Sequence, residues 1–200
     1  MAHEDDARLV RRACEGDAQA ASEIVERYQR PIFAVCFRIL GDEDAAAELT
    51  QETLIKVLTG LEKFHGRSAL STWAYRIAVN ACYTHLRSER VRSASRSAWP
   101  EDGEPEAARG VQRGGDGLDV AERRRLVARG LQMLQPDHRV VLVLRDVQGL
   151  EYEQIAGVLG VAVGTVKSKL FRARAALRSV IEDLERSRSG VRASQGDDHG

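Results

Sequence analysis

Lys167, Ser168, Phe171, Arg172 and Arg174 fall on one face of a short block that Thr165 opens, and no acid occurs between Thr165 and Val180. Cations, a hydroxyl and an aromatic ring at helical spacing can hydrogen-bond base edges and hold phosphates; they do not break bonds. A second set recurs every three or four residues: Trp73, Arg76, Asn80, Tyr83, Thr84 and Arg87, with Phe64 and Arg67 in the loop before it. Rings, amides and guanidinium groups in a row make a stacking platform with phosphate anchors, which suits unpaired bases better than duplex. The competing reading is a half-buried Trp and Tyr beside ordinary surface arginines. Phe64 and Arg67, next to the same face, favour the platform. A third face carries Glu48, Gln51, Glu52, Ile55 and Lys56. Plain solvent exposure would explain its polar members; Ile55 set among them makes it a docking surface for another protein.

The block around Thr165 belongs to a longer stretch, Glu151 to Leu177, that reads as two short helices with a tight turn at Gly160. Ile155, Ala156 and Leu159 give the first an apolar face, and Ala156 is small enough for a second helix to cross closely. Val166, Leu170, Ala173 and Leu177 share one face of the second helix, which Thr165 caps or opens. A basic helix held across a small one is the helix-turn-helix arrangement that enters the major groove. An ordinary helical hairpin would share the basic face, but not the small-residue crossing, the turn glycine and the acid-free run together.

The earlier elements follow from capping and periodicity. Leu9, Val10 and Ala13 form one helical stripe, broken at Gly16-Asp17, and Ala21, Ile24, Val25 and Tyr28 form another. Pro31 is expected to open a third helix, which Gly41 ends. Asp42 caps the next, to about Leu61, with Leu49, Thr53, Leu54, Val57, Leu58 and Leu61 as its core stripe. Ser68 or Ser71 caps a helix to about Glu89, with Leu70, Ala74, Ile77, Ala78, Ala81 and Leu86 facing the core. Asp119 caps a helix through Val127, Leu131 and Leu134. The β-branched run Val140 to Leu144 is read as helix because Pro136 and Gly149 bracket about three turns and no second strand exists to pair with it.

The fold class is therefore all-α: two small helical domains, 1–92 and 118–186, joined by a flexible Pro/Gly-rich linker, 93–117, with a disordered tail, 187–200. The formal net charge is zero, so only the distribution of charge is informative. Acids outnumber bases before Phe64, whereas from Arg67 to Arg96 the only acid is Glu89. Two basic patches on a neutral chain suit two contacts to one polyanion, leaving acidic surface for something else. Cys14, Cys36 and Cys82 are odd in number and widely spaced, and the five histidines are scattered, so neither a disulfide framework nor a metal or other cofactor site is expected. With no h-region and no membrane-spanning run, a cytoplasmic protein is expected.

Three blocks in this order, DAAAELTQETLIKVL (Asp44 to Leu58), FHGRSALSTWAYRIAVNACYTHLR (Phe64 to Arg87) and the run from Leu131 to Leu177, resemble bacterial sigma factors of the extracytoplasmic-function (ECF) type. The resemblance implies a promoter-specificity subunit of RNA polymerase, not an enzyme. It places Glu48, Gln51, Glu52, Ile55 and Lys56 against core RNA polymerase. It places Phe64, Ser71, Thr72, Trp73, Arg76 and Asn80, joined by Arg67 and Arg87 from the basic patch, on non-template bases of the minus-ten element. Thr165, Lys167, Ser168, Phe171, Arg172 and Arg174 would contact the duplex minus-thirty-five element. An anti-sigma factor is the regulator such proteins imply. Cys82-Tyr83-Thr84-His85 lies where members vary widely, so the preferred minus-ten sequence is left open. A free-standing helix-turn-helix regulator is the rival reading; it would bind duplex specifically without polymerase.

Overall fold

The computed structural model describes residues 2–64, 66, 68–96 and 120–194. Helix α1 (Ala2–Cys14) buries Leu9 and Val10 and is tied to α2 (Ala18–Leu40) through polar groups. Buried Asp6 accepts from the Tyr28 hydroxyl at 3.0 Å and from Arg27 at 2.9 Å. Burial, then the Asp6 carboxylate, pushes the Tyr28 phenol well above its ordinary value. Gly16 (φ 89°) turns the chain, and Asp17 caps α2 by accepting from the Gln19 and Ala20 amides at 2.9 and 3.3 Å.

Pro31 does not open a new helix. It lies inside α2, which runs unbroken to Leu40. An interior proline costs about 3 kcal/mol. Ile24, Tyr28, Ile32, Val35 and Ile39 form one buried stripe across it, and each large aliphatic on that stripe contributes about 1.5–3 kcal/mol by burial. The stripe outweighs the lost hydrogen bond.

Gly41 (φ 78°) ends α2, and Asp42 caps α3 (Glu43–Thr59) through the Ala45 amide at 2.8 Å. A 3₁₀ turn, Leu61–Lys63, leads through Phe64 toward α4 (Leu70–Arg96). Neither Ser68 nor Ser71 stands at the boundary of α4: the carbonyl of Ala69 accepts its first helical bond, from Trp73. The helix outlasts the expected boundary near Glu89 and takes in residues 93–96 of the expected linker.

The second half begins with α5 (Val120–Met133); Asp119, its expected cap, and linker residues 97–117 lie outside the described residues. α6 (Pro136–Leu142) passes into a π turn, Val143–Val147, in which Gln148 bonds back to the Val143 carbonyl, and Gly149 (φ 71°) closes it. Val140 to Leu144 are thus helical and fully or nearly fully buried. α7 (Tyr152–Leu159) and α8 (Val163–Ser194) follow. Residues 187–194, expected to be irregular, continue α8; 195–200 lie outside the described residues. α2, α3 and α4 pack on one another, as do α6, α7 and α8. The two halves also meet, because α7 lies on α4 and α5 on α2, so one apolar cluster runs through both.

Candidate nucleic-acid interface

The helix-turn-helix is built as its sequence requires. Glu151 and Gln154 form a reciprocal capping box at the start of α7, and the Glu151 amide donates to Gln154 Oε1 at 2.8 Å. Gly160 ends α7 with φ 65°, a conformation that favours glycine. α8 starts two residues earlier than expected: Ala162 accepts from the Thr165 and Val166 amides, so Thr165 is half-buried in the first turn and does not cap it. Ile155 and Ala156 meet Val166, Leu170 and Ala173 in the core.

That packing fixes which face is left over. Lys167, Ser168, Phe171, Arg172 and Arg174 are all exposed, and Phe171 keeps 77% of its surface in solvent. They are not equally free. Arg174 pairs with Asp146 at 2.6 Å, and that contact raises its already high pKa. Ser168 Oγ donates to the Thr165 carbonyl at 2.9 Å. The Lys167 ammonium stands 5.6 Å from the centre of the Tyr152 ring, which Arg145 also covers at 4.8 Å. Lys169, on the same helix, turns away to Asp137 at 2.5 Å.

On α4, Arg76, Asn80, Thr84 and Arg87 are exposed in a row. Trp73 is half-buried against Phe64, ring centres 5.4 Å apart at 42°, and Ser71 and Tyr83 are half-buried as well. Thr72 is not open: it is 5% exposed, and a Cβ on Gly157 of α7 would lie 3.4 Å from its methyl group. Arg67 lies outside the described residues. On α3, Glu48, Gln51, Glu52, Ile55 and Lys56 are all exposed, Ile55 by 62%, and Lys56 pairs with Glu52 at 2.6 Å. A groove of about 400 Å³ between α3 and α4 brings Glu52 and Lys56 beside Asn80 and Thr84, so the candidate docking face and the candidate base-contacting row adjoin.

Sequence reasoning missed the contacts between the halves. Tyr75 donates to Gln148 at 3.2 Å, and Tyr83 donates to Asp137 at 3.1 Å. Arg139, nearly buried, donates to the carbonyls of Ile39, Gln132 and Leu134 and to Gln132 Oε1. Burial draws its pKa below the ordinary value. The signal was present: Arg139 lies three and four residues before Leu142 and Val143, at a core position of α6.

No cluster of three or more His, Cys, Asp and Glu side chains that would hold a metal occurs among the described residues. Among them, too, no helix is long and apolar enough to cross a membrane.

Two family models match the chain: Sigma-70 region 2 over residues 24–92 and Sigma-70, region 4 over residues 124–177. The RNA polymerase sigma-H factor of Pseudomonas aeruginosa is 35% identical over 190 residues, covering 93% of this chain and 98% of the relative. The chain belongs to the ECF-type sigma factors. The ECF RNA polymerase sigma-E factor of Salmonella typhimurium is 34% identical over 187 residues, 89% of this chain and 95% of the relative. Among solved structures, the sigma factor RpoE in complex with the anti-sigma factor NepR from Bartonella quintana aligns with a TM-score of 0.63 at 28% identity, covering 80% of this chain and 96% of that one. CnrH, solved with the cytosolic domain of CnrY, aligns at 0.64 over 89% and 97% of the two chains; at 23% identity it speaks to the fold. This sigma factor is a promoter-recognition subunit for RNA polymerase and not an enzyme.

Proposed function

We propose that the three surfaces divide promoter recognition among them. The exposed face of α8 reads the duplex minus-thirty-five element through Lys167, Ser168, Phe171 and Arg172, with Thr165 and Arg174 at its ends. The row on α4, from Phe64 and Trp73 through Arg76 and Asn80 to Arg87, holds unpaired non-template bases of the minus-ten element. α3 docks on core polymerase through Ile55 and the polar groups around it. The observation that carries this reading is the separation of chemistry: a cationic duplex-reading face on α8 and a ring, amide and guanidinium row on α4. Tethering on the polymerase raises the effective concentration of each surface for its own element, so neither need bind tightly alone.

An anti-sigma factor that covers the α3 and α4 surfaces is the regulator we expect; that RpoE was solved in complex with the anti-sigma factor NepR supports a regulator of this kind. In vitro transcription with core polymerase and a randomised promoter library, followed by sequencing of the transcribed templates, tests the proposal. Enrichment at two separate elements supports it. Specific duplex binding by the chain alone, unaltered by polymerase, counts against it.

A further inference from the structure

The core of the first half holds two thiols that promoter recognition does not use. Cys36 of α2 and Cys82 of α4 are each 0% exposed and sit where those two helices pack on each other. They stand 46 residues apart in the chain, so spacing alone does not announce a pair. Their side chains are hydrogen-bonded to each other, and Thr50 of α3, buried as well, is bonded to Cys36. The bond to Cys82, ahead of every other cause, draws the Cys36 pKa below its ordinary value. The same bond, then burial, pushes Cys82 up. Cys36 is therefore the sulfur that ionises first, and a thiolate is the nucleophilic form.

We propose that Cys36 and Cys82 form an oxidisable dithiol site that hydrogen peroxide closes to a disulfide, and that the closed form opens promoters poorly. In the first step the Cys36 thiolate attacks one peroxide oxygen. The S–O bond forms, the O–O bond breaks, and the departing hydroxide takes up the proton Cys36 released and leaves as water. In the second step the Cys82 sulfur attacks the sulfenic sulfur of Cys36. The S–S bond forms, the S–O bond breaks, and the Cys82 proton goes with the leaving hydroxide as a second water. The thiols lose two electrons and the peroxide gains them. A dithiol reductant reverses the change by exchange. Burial makes the site slow and excludes large oxidants. Leu49 and Ala81, the chain neighbours of Thr50 and Cys82, line the groove between α3 and α4, which gives a small uncharged peroxide an opening beside those segments.

A covalent bond holds two sulfurs closer than a hydrogen bond does, so closing the site draws α4 toward α2. Val35, Ile39, Ala78 and Val79 around it are fully buried, and a close-packed core transmits such a shift. Asn80, Tyr83 and Thr84 flank Cys82 on α4 and move with it. The loss of opening rests on the role proposed for α4; the crosslink does not.

The test uses the full chain with Cys14→Ser, so that no exposed thiol joins two copies. The chain is titrated with hydrogen peroxide, quenched by alkylation and mapped by mass spectrometry. A monomer carrying a Cys36–Cys82 crosslink is expected, with a raised melting midpoint because the crosslink restricts the unfolded chain. With core polymerase, permanganate reactivity of the minus-ten element is expected to fall about tenfold and to return with dithiothreitol. Cys36→Ser is expected to keep its opening in peroxide, with Cys36→Ala as the second variant and a thermal melt to confirm folding of each. Thiols that stay free at peroxide concentrations that fully oxidise Cys14 in the parent overturn the site, as does oxidation of each sulfur without a crosslink. A crosslinked chain that opens promoters like the reduced one overturns the switch. A reduced chain that opens no promoter overturns the role proposed for α4 instead, while the map of the thiols still decides the site.

Discussion

α4 and α8 are both long, cationic helices, yet they leave different things open. α8 buries one stripe, Val166, Leu170 and Ala173, and its opposite face is in solvent with side chains already held by short-range bonds. α4 is apolar on two sides. Leu70, Ala74 and Ala78 face its own bundle, and Tyr75 and Val79 are buried as well, with Tyr75 reaching the second half, so only a narrow row of polar groups is exposed. The difference suits the two tasks proposed for these helices. A duplex offers its groove ready-made, and a preformed helix face can meet it at once. Unpaired bases exist only after melting, and the helix that holds them can stay partly covered until then.

The largest effect is expected where the cover is anchored. Arg139→Met removes the donors for buried carbonyls at the α5–α6 corner and at the end of α2, and should cost about 3 kcal/mol in denaturant unfolding. Arg139→Lys should recover little, because a point charge cannot serve the carbonyls a planar fork reaches. A neutral result for Met would mean the corner holds without the guanidinium. Next comes the open helix. Arg172→Ala should lower minus-thirty-five-dependent initiation by about tenfold or more, in line with about 1–3 kcal/mol per specific contact, with polymerase affinity unchanged. Loss of polymerase binding instead would take α8 out of the DNA-reading role.

The covered helix should respond differently. Trp73→Ala or Asn80→Ala is expected to cost about 1–3 kcal/mol in promoter opening while closed-complex formation persists. Unchanged permanganate reactivity of the minus-ten element would remove the contrast between the helices. Gly160→Ala should lower stability by about 1 kcal/mol in thermal melts, since its φ of 65° strains any side chain.

The smallest effect concerns pH. The Lys169 hydrogen bond, ahead of other causes, holds the Asp137 carboxyl below its ordinary range. A lowered folded-state pKa means the stabilisation is present above the unfolded value and fades as pH falls through the folded one. Asp137→Asn should flatten the acid side of the stability profile measured by thermal melts. A profile identical to the parent would leave the Lys169 pair without energetic weight.

Much of this architecture was legible in local chemistry. Asp17 and Asp42 are caps, Gly41 and Gly160 end helices with positive φ, and Pro136 with Gly149 brackets a helix despite its β-branched run. What escaped depended on distant partners. Pro31 reads locally as a break, and only packing against α3 and α4 makes the stripe through it worth keeping. Thr72 reads as an exposed base contact because nothing nearby in the chain says that α7 lies over it. Arg139 and the second apolar side of α4 were visible as anomalies, a charge at a core position and a helix with too much to bury. The explanation of Arg139 lies 100 residues away, at the end of α2, and that of the covered side of α4 lies in α7 and at Gln148, 73 residues from Tyr75.

Gly60 lies between the end of α3 and the head of α4. A Cβ there would meet the Trp73 indole at 3.0 and 3.2 Å and the Lys56 carbonyl at 2.8 Å. The last turn of α3 and the indole at the head of α4 therefore abut across a position that must stay bare. A side chain at position 60 would drive the carbonyl of Lys56 and the indole of Trp73 apart, so the close seating of α3 on the head of α4 depends on a hydrogen standing there.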